Sequence, residues 1–149
     1  MTLDSSSLEA LLLSPELENL VEIGSLKRGA LSDSEARGLL RGGRARLTDA
    51  LNPALSLESR FDLTYNAAHS LALLALRRLG YRSENRYTVF QCLAHTTNVP
   101  TPHWRVLSAA HSARNFFEYE GESEIDERLV SNMIDATEVR YAELIERSS

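Results

Sequence analysis

Apolar side chains recur along most of this chain at intervals of three and four residues, the spacing of one face of an α-helix. The longest such pattern runs from about Ser56 to Leu79, where two apolar stripes flank a polar line of Asp62, Asn66 and His69. Two stripes predict a helix that is surrounded by others. The polar line predicts either an internal hydrogen-bonded network or the wall of a cleft, because unpaired polar groups are costly inside a protein.

The first part of the chain, residues 1–55, predicts helices that cover the rest. Ser32, followed by Glu35 three residues later, has the pattern of a capping box at a helix start. The pair Gly42-Gly43 weakens this helix internally, and Asn52-Pro53 ends it.

Three further helices follow the long one, and capping residues bound each of them. Their predicted spans are 84–96, 101–121 and 124–146, begun by Ser83, by Thr101 with Pro102 and by Ser123. The residues predicted to pack inwards are Tyr87, Phe90, Cys92, Leu93 and Ala94 in the first, Val106, Ala110, Ala113 and Phe117 in the second, and Ile125, Leu129, Val130, Met133, Ile134, Thr137, Tyr141, Leu144 and Ile145 in the last.

The predicted fold class is therefore all-α. We expect one domain over 1–149, an antiparallel helical bundle with a four-helix core at 56–147 and N-terminal covering helices at 1–55. No stretch alternates convincingly with the period of two that marks a β-strand.

The composition of the chain indicates the compartment in which we expect the protein. Cys92 is the only cysteine, which fits a reducing compartment. No apolar run approaches the ~20 residues that span a bilayer, and the start of the chain lacks the basic region of a secretory signal. We therefore expect a cytoplasmic protein without a membrane partner.

The net charge of -5 argues against binding nucleic acid through bulk electrostatics, although a local basic face can still bind it. Such a face is present on the second helix, where Arg37, Arg41 and Arg44 recur at helical spacing. This basic ridge is either a solvated face or a contact for phosphate or an acidic partner.

Ordinary cofactor chemistry has little support. There is no glycine-rich phosphate loop, no His-Glu-x-x-His motif and no nucleophile elbow. Cys92 and His95 have the spacing of half a zinc site, but no second pair completes it. We expect no cofactor and no metal.

The best candidate site lies at Arg114, Asn115, Glu118 and Tyr119. Arginine can neutralise charge on a scissile phosphate, and asparagine can orient a nucleophile. Tyrosine can donate a hydrogen bond or stack on a base. The structural alternative is an ion pair between Arg114 and Glu118, one turn apart, with the tyrosine packed at the helix end.

Other residues extend the candidate binding site. His111 precedes Arg114 by one turn, and a helical scaffold can bring His69 beside it. The full set of candidate binding residues is Arg114, Asn115, Glu118, His111, His69, Asn66, Arg82 and Arg86.

Several of these positions carry a family resemblance. The run from Tyr65 to Ala68, the turn Gly80 to Arg82, the motif Ala113 to Asn115 with Glu118-Tyr119, and an amphipathic last helix resemble the HEPN superfamily of helical bundles over roughly residues 60–147. Many HEPN proteins are ribonucleases, often toxins of toxin–antitoxin or phage-defence systems. Their motif is an arginine, a polar residue, a few variable residues and a histidine, and two chains typically dimerise so that their motifs share a cleft.

The resemblance assigns the arginine to Arg114 and the polar residue to Asn115, whereas Tyr119 and Glu120 stand where the family has its histidine. Imidazole is the group best suited to moving protons near neutral pH. The resemblance thus implies a HEPN-like homodimer that binds RNA, a nucleotide or a partner protein, within a toxin–antitoxin or defence pair.

Two alternatives stay open. The first is a metal-independent ribonuclease that uses Arg114, Asn115 and Tyr119, with His111 or His69 as the proton carrier. The second is a structural module that docks other proteins.

Overall fold

The computed structural model describes residues 15–96, 105–106, 109–112 and 125–148. Helices dominate these residues, so the predicted all-α class is confirmed. In chain order the elements are α1 (residues 15–22), β1 (Lys27–Arg28), α2 (Asp33–Ala50), α3 (Leu57–Arg78), β2 (Tyr81–Arg82), α4 (Arg86–Gln91), α5 (Leu93–Thr96) and α6 (Glu127–Ser148). Residues 105–106 and 109–112 are also helical.

Helix α3 lies at the centre of the described fold, packed against α2 and α6. Ser56 begins it by accepting a hydrogen bond from the backbone N–H of Ser59 at 3.1 Å. The chain leaves the helix through Gly80, whose φ of 93° favours glycine. The buried residues of α3 occupy both predicted stripes: Phe61, Thr64, Tyr65, Ala67, Ala68, Leu71, Ala72, Leu74, Ala75 and Leu76.

Helix α2 runs unbroken through the pair Gly42-Gly43. Gly43 is buried against Leu71 of α3, so its missing side chain lets the two helices approach closely. At the start of α2, Ser32 accepts from the backbone N–H of Glu35 at 3.1 Å. The carboxylate of Glu35 pairs with Arg77 instead of returning to the cap, so only half of the predicted capping box forms.

A small antiparallel sheet differs from the sequence expectation. Lys27 lies opposite Arg82, and Arg28 lies opposite Tyr81. Strands of two residues are too short to show alternation in the sequence. The hydroxyl of Tyr81 donates to Glu18 at 2.6 Å, and Arg28 pairs with the same carboxylate, so these contacts connect α1 to the sheet.

Two predicted helix starts are wrong. Helix α4 begins after Asn85, whose side chain accepts from the backbone N–H of Thr88 at 3.1 Å, while Ser83 accepts from the N–H of Asn85 within the preceding turn. The single helix predicted for 84–96 is divided at Cys92 into α4 and α5. Helix α6 begins at Glu127, where Asp126 accepts from the N–H of Leu129 at 2.7 Å.

Two groups of buried side chains form the interior. The larger joins side chains from each of the helices α1 to α6 around Phe61, Tyr65 and Phe90. The smaller lies between α3 and α6 around Leu71, Leu74 and Leu144, with apolar residues of α2 packed against it. None of the helices among the described residues combines the length and apolar character that crossing a membrane requires.

Two further side chains of the interior depart from the apolar pattern. Cys92 is fully buried, and burial raises the pKa of its thiol to about 11. Arg140 of α6 is 2% exposed. It donates to Glu143 at 2.7 Å and to the backbone carbonyl of Thr96 at 3.1 Å, which connects α6 to α5.

Candidate functional site

The predicted motif residues Arg114, Asn115, Glu118 and Tyr119 lie outside the described residues. The turn before them is described. Ala110 is 1% exposed and belongs to the larger core, with Val106 packed against it. His111, the residue after Ala110, is half-buried and lies at the edge of this core.

His111 is held by Tyr65 of α3. The Tyr65 hydroxyl and Nδ1 of His111 form a hydrogen bond of 2.8 Å, in which the hydroxyl donates when that nitrogen is unprotonated and accepts when it carries the proton. The two rings are stacked, with centroids 6.1 Å apart. Tyr65 is almost fully buried, so this contact fixes the imidazole from the inside of the protein.

His69 lies beside the same group of rings, an arrangement that the sequence allowed but did not predict. Both imidazoles contact Phe90, with centroid distances of 5.9 Å and 6.0 Å. We call Tyr65, His69, Tyr87, Phe90 and His111 the aromatic–histidine cluster. It joins α3 and α4 to the helical turn at 109–112.

The two imidazoles of the cluster have different surroundings. Burial first, and then the positive charge of Arg86 and the proximity of His111, lower the pKa of His69 to about 4. Its Nε2 is buried without a hydrogen-bond partner in the described part of the chain. His69 is therefore a neutral and weakly basic imidazole near pH 7.

Asn66 and Arg86 form the polar edge of the cluster. Nη1 of Arg86 donates to Oδ1 of Asn66 at 2.8 Å, and Nδ2 of Asn66 donates to the backbone carbonyl of Asp62 at 2.8 Å. The guanidinium carbon lies 5.5 Å from the centroid of the Tyr65 ring. Arg86 is exposed and makes no ion pair with the described residues, so its remaining donors face solvent.

The predicted orientation of the Tyr87 side chain is wrong. Helical spacing predicts that it packs inwards, but its side chain is 52% exposed, with its ring centroid 5.5 Å from that of His111. Helix α4 buries Val89 and Phe90, and Tyr87 lies beyond the edge of the face that these two residues define. We call Asn66, Arg86 and Tyr87 the Arg86–Tyr87 rim.

Arg82 does not join this rim. It lies in β2 opposite Lys27 and lines a separate cavity beside the sheet. The candidate binding residues that the described structure brings together are therefore Asn66, His69, Arg86 and His111.

The described residues contain no group of three or more His, Cys, Asp or Glu side chains arranged to hold a metal ion. The chemistry that the cluster and the rim offer together is aromatic stacking at Tyr87, charge at Arg86 and proton exchange at His111. Fold and site together define an all-α protein with an exposed aromatic and basic rim above two histidines. Comparison of the chain with protein-family models, with curated proteins and with solved structures found no match.

Proposed function

We propose that this protein is a HEPN-like homodimer that binds single-stranded RNA at the Arg86–Tyr87 rim. The observation that supports this proposal most directly is the exposed Tyr87 beside the exposed Arg86. A hydrogen bond to Asn66 holds the guanidinium of Arg86 in place. Unpaired bases bind to proteins by stacking on aromatic rings, and arginine contacts the neighbouring phosphates.

A direct test measures the fluorescence anisotropy of a labelled single-stranded RNA. Tyr87→Ala removes the stacking surface and Arg86→Gln removes the charge, and each is expected to weaken affinity about tenfold, since stacking contributes roughly 1 to 3 kcal/mol per base. Ile23→Ala and Arg46→Gln are matched controls, because they change an exposed apolar side chain and an exposed arginine outside the rim.

Two results would contradict RNA binding at this rim. One is the absence of saturable affinity at low salt. The other is an equal loss in the control variants, which would indicate attraction by overall charge alone. Affinity for an acidic protein without affinity for RNA would favour the structural module.

The homodimer is the part of the proposal that rests on the family resemblance. Two copies would bring Arg114 and Asn115 of each chain to one cleft. Light scattering of the purified protein measures the mass directly. A monomer at micromolar concentration would remove the shared cleft and leave the rim as a binding surface of a single chain.

A metal-independent ribonuclease is a second candidate, favoured by the hydrogen bond between Tyr65 and His111. A fixed imidazole is a suitable proton carrier, whereas His69, with a pKa of about 4, is a poor one near neutral pH. Arg114 would then stabilise charge on the scissile phosphate.

Cleavage of labelled RNA in the presence of a chelator tests this candidate. We expect His111→Asn and Arg114→Ala to abolish cleavage, Tyr65→Phe to slow it about tenfold through loss of orientation, and His69→Gln to leave it nearly unchanged. Cleavage that survives both His111→Asn and Arg114→Ala would reject these roles.

A further inference from the structure

The cavity that Arg82 lines shares no residue with the Arg86–Tyr87 rim. Its volume is about 520 Å³, and it opens beside the small sheet. Its lining includes the charged residues Lys27, Glu35, Arg77, Arg82 and Glu84. Three cations and two carboxylates therefore surround a space large enough for a small polar ligand.

Two of these cations have no side-chain partner among the described residues. Lys27 and Arg82 are exposed and make neither an ion pair nor a hydrogen bond through their side chains with the described residues. They are directly opposite in the antiparallel sheet, so both side chains leave it on the same face. Like charges in that position repel each other, which destabilises the sheet unless an anion lies between them.

On the opposite face of the sheet, the side chains bind a carboxylate. There Arg28 is opposite Tyr81, and the carboxylate of Glu18 binds both side chains. One face therefore has its own carboxylate, while the two cations on the face towards the cavity have no carboxylate partner in the part of the chain that the structure describes. This asymmetry points to a negatively charged ligand on the cavity side.

Arg77 adds a third, preoriented group. Its Nη2 donates to the backbone carbonyl of Ala30 at 3.1 Å and pairs with Glu35. Its Nη1 makes no hydrogen bond within the described part of the chain. A Cβ at Gly29 would lie 3.3 Å from this Nη1 and 3.2 Å from Cδ of Arg82, so the glycine allows both arginines to approach one point.

We infer that this cavity binds a small phosphomonoester that also carries hydroxyl groups. Lys27 and Arg82 bind the phosphate, with Nη1 of Arg77 as an additional donor. Glu35 neutralises Arg77, which leaves Glu84 as an acceptor for a ligand hydroxyl. The inference does not depend on RNA binding at the Arg86–Tyr87 rim, because the two sets of residues do not overlap.

Isothermal titration calorimetry at low salt tests the inference with ribose 5-phosphate, and with ribose as the probe without phosphate. We expect saturable binding of ribose 5-phosphate and none of ribose. Arg82→Gln and Lys27→Gln should each weaken binding about tenfold, as loss of one charge-assisted hydrogen bond does. Arg28→Gln is the matched control on the opposite face and should not change affinity.

One further variant and one further measurement distinguish a ligand site from an ordinary charged surface. Gly29→Ala keeps every charge but crowds both arginines, so it should also weaken binding. Lys27→Gln should raise the thermal midpoint of the ligand-free protein while it weakens binding, because it removes the repulsion with Arg82. A merely structural role for these cations predicts neither result.

Parallel titrations identify the source of the phosphate. Inorganic phosphate reports the anion site alone, and RNA with a 5′-phosphate is compared with the same RNA with a 5′-hydroxyl. A preference for phosphorylated RNA that Arg82→Gln removes would identify an RNA terminus as the ligand and support the site. The inference is overturned if no phosphate-bearing probe binds saturably, or if Arg28→Gln weakens binding as much as Arg82→Gln does.

Discussion

At the scale of single residues, His69 and Arg140 are both polar groups in the interior, and their environments differ. Arg140 is 2% exposed, and Glu143 and the backbone carbonyl of Thr96 accept its hydrogen bonds. His69 has a buried Nε2 without a partner among the described residues and sits beside the positively charged Arg86. Burial therefore favours the neutral imidazole in one case and a paired cation in the other.

The lowered pKa of His69 predicts acid sensitivity. The unfolded chain binds a proton near the ordinary value of 6.5, whereas the folded protein binds it only near pH 4. Stability is therefore fully present above pH 6.5 and decreases as the pH falls towards 4. We expect a loss on the order of 2 kcal/mol, discounted for the partial exposure of the ring. Urea denaturation across this pH range measures it.

His69→Gln provides the control for this prediction, because glutamine is polar and does not titrate. The variant should show a flatter dependence of unfolding free energy on pH between 6.5 and 4. An unchanged slope in His69→Gln would show that carboxylates elsewhere account for the acid sensitivity.

Arg140 predicts a large mutational cost. Arg140→Ala removes the partner of Glu143 and a donor to the Thr96 carbonyl, so we expect the unfolding free energy to fall by about 3 to 5 kcal/mol. Arg128→Ala on the exposed face of α6 is the matched control and should change stability by less than about 0.5 kcal/mol. Similar urea midpoints for the two variants would contradict a structural role for Arg140.

The burial of Arg140 could not be predicted from its residue type. Met133, Thr137 and Leu144 were predicted to face inwards, and all three are buried. Arg140 follows Thr137 by three residues and precedes Leu144 by four, so helical spacing places it on the same stripe. Arg140 is absent from the residues predicted to face inwards, and its contacts with Glu143 and with the Thr96 carbonyl of α5 explain its position.

At the scale of elements, contact between α2 and α3 depends on a glycine. A Cβ at Gly43 would lie 2.8 Å from Cδ2 of Leu71, whereas a Cβ at Gly38 would meet nothing within 4 Å. Both glycines lie inside α2, where alanine is intrinsically better than glycine. The two positions therefore separate helix propensity from packing.

Alanine substitutions at these glycines should have opposite effects. Gly38→Ala is expected to stabilise the protein by about 0.5 to 1 kcal/mol, because it removes chain entropy from the unfolded state. Gly43→Ala should destabilise it by about 1 to 3 kcal/mol, because Leu71 must move. Thermal unfolding of the two variants gives the comparison, and stabilisation by both would show that α2 and α3 are not tightly packed at Gly43.

The sequence predicts elements well where local residues set their limits. The pattern from about Ser56 to Leu79 matches α3, which Ser56 caps and which Gly80 follows with a positive φ. The prediction of a helix start fails where two capping residues lie close together, as Ser83 and Asn85 do before α4. The sequence also fails to predict the sheet, since a pairing between Lys27 and Arg82 depends on tertiary contacts that no local pattern contains.

At the scale of the whole molecule, α3 contributes to both groups of buried side chains. A shared helix should make the described fold unfold as one unit. Leu47→Ala in the larger group and Leu144→Ala in the smaller are each expected to cost about 2 to 5 kcal/mol and to lower the same single transition. Calorimetric and van 't Hoff enthalpies that disagree in the unsubstituted protein would contradict a single unit.

Only part of the candidate site follows from the sequence. The residue types at Asn66, His69, Arg86 and His111 single them out as polar groups on apolar helices, and the structure brings them to one cluster. The bond between Tyr65 and His111 joins residues 46 positions apart, and spacing along one helix cannot predict such a contact. The basic ridge also has a partner that its spacing did not reveal, since Arg44 lies over the ring of Tyr141 at 5.2 Å.

The buried thiol of Cys92 can be used to follow the unfolding of the protein. The sulfur is enclosed in the larger core, so a thiol-reactive dye reaches it only after that core has opened. Under conditions of fast reclosing, the labelling rate then gives the equilibrium between closed and open chains directly. Any added molecule that stabilises the closed chain should slow the dye in proportion to its occupancy.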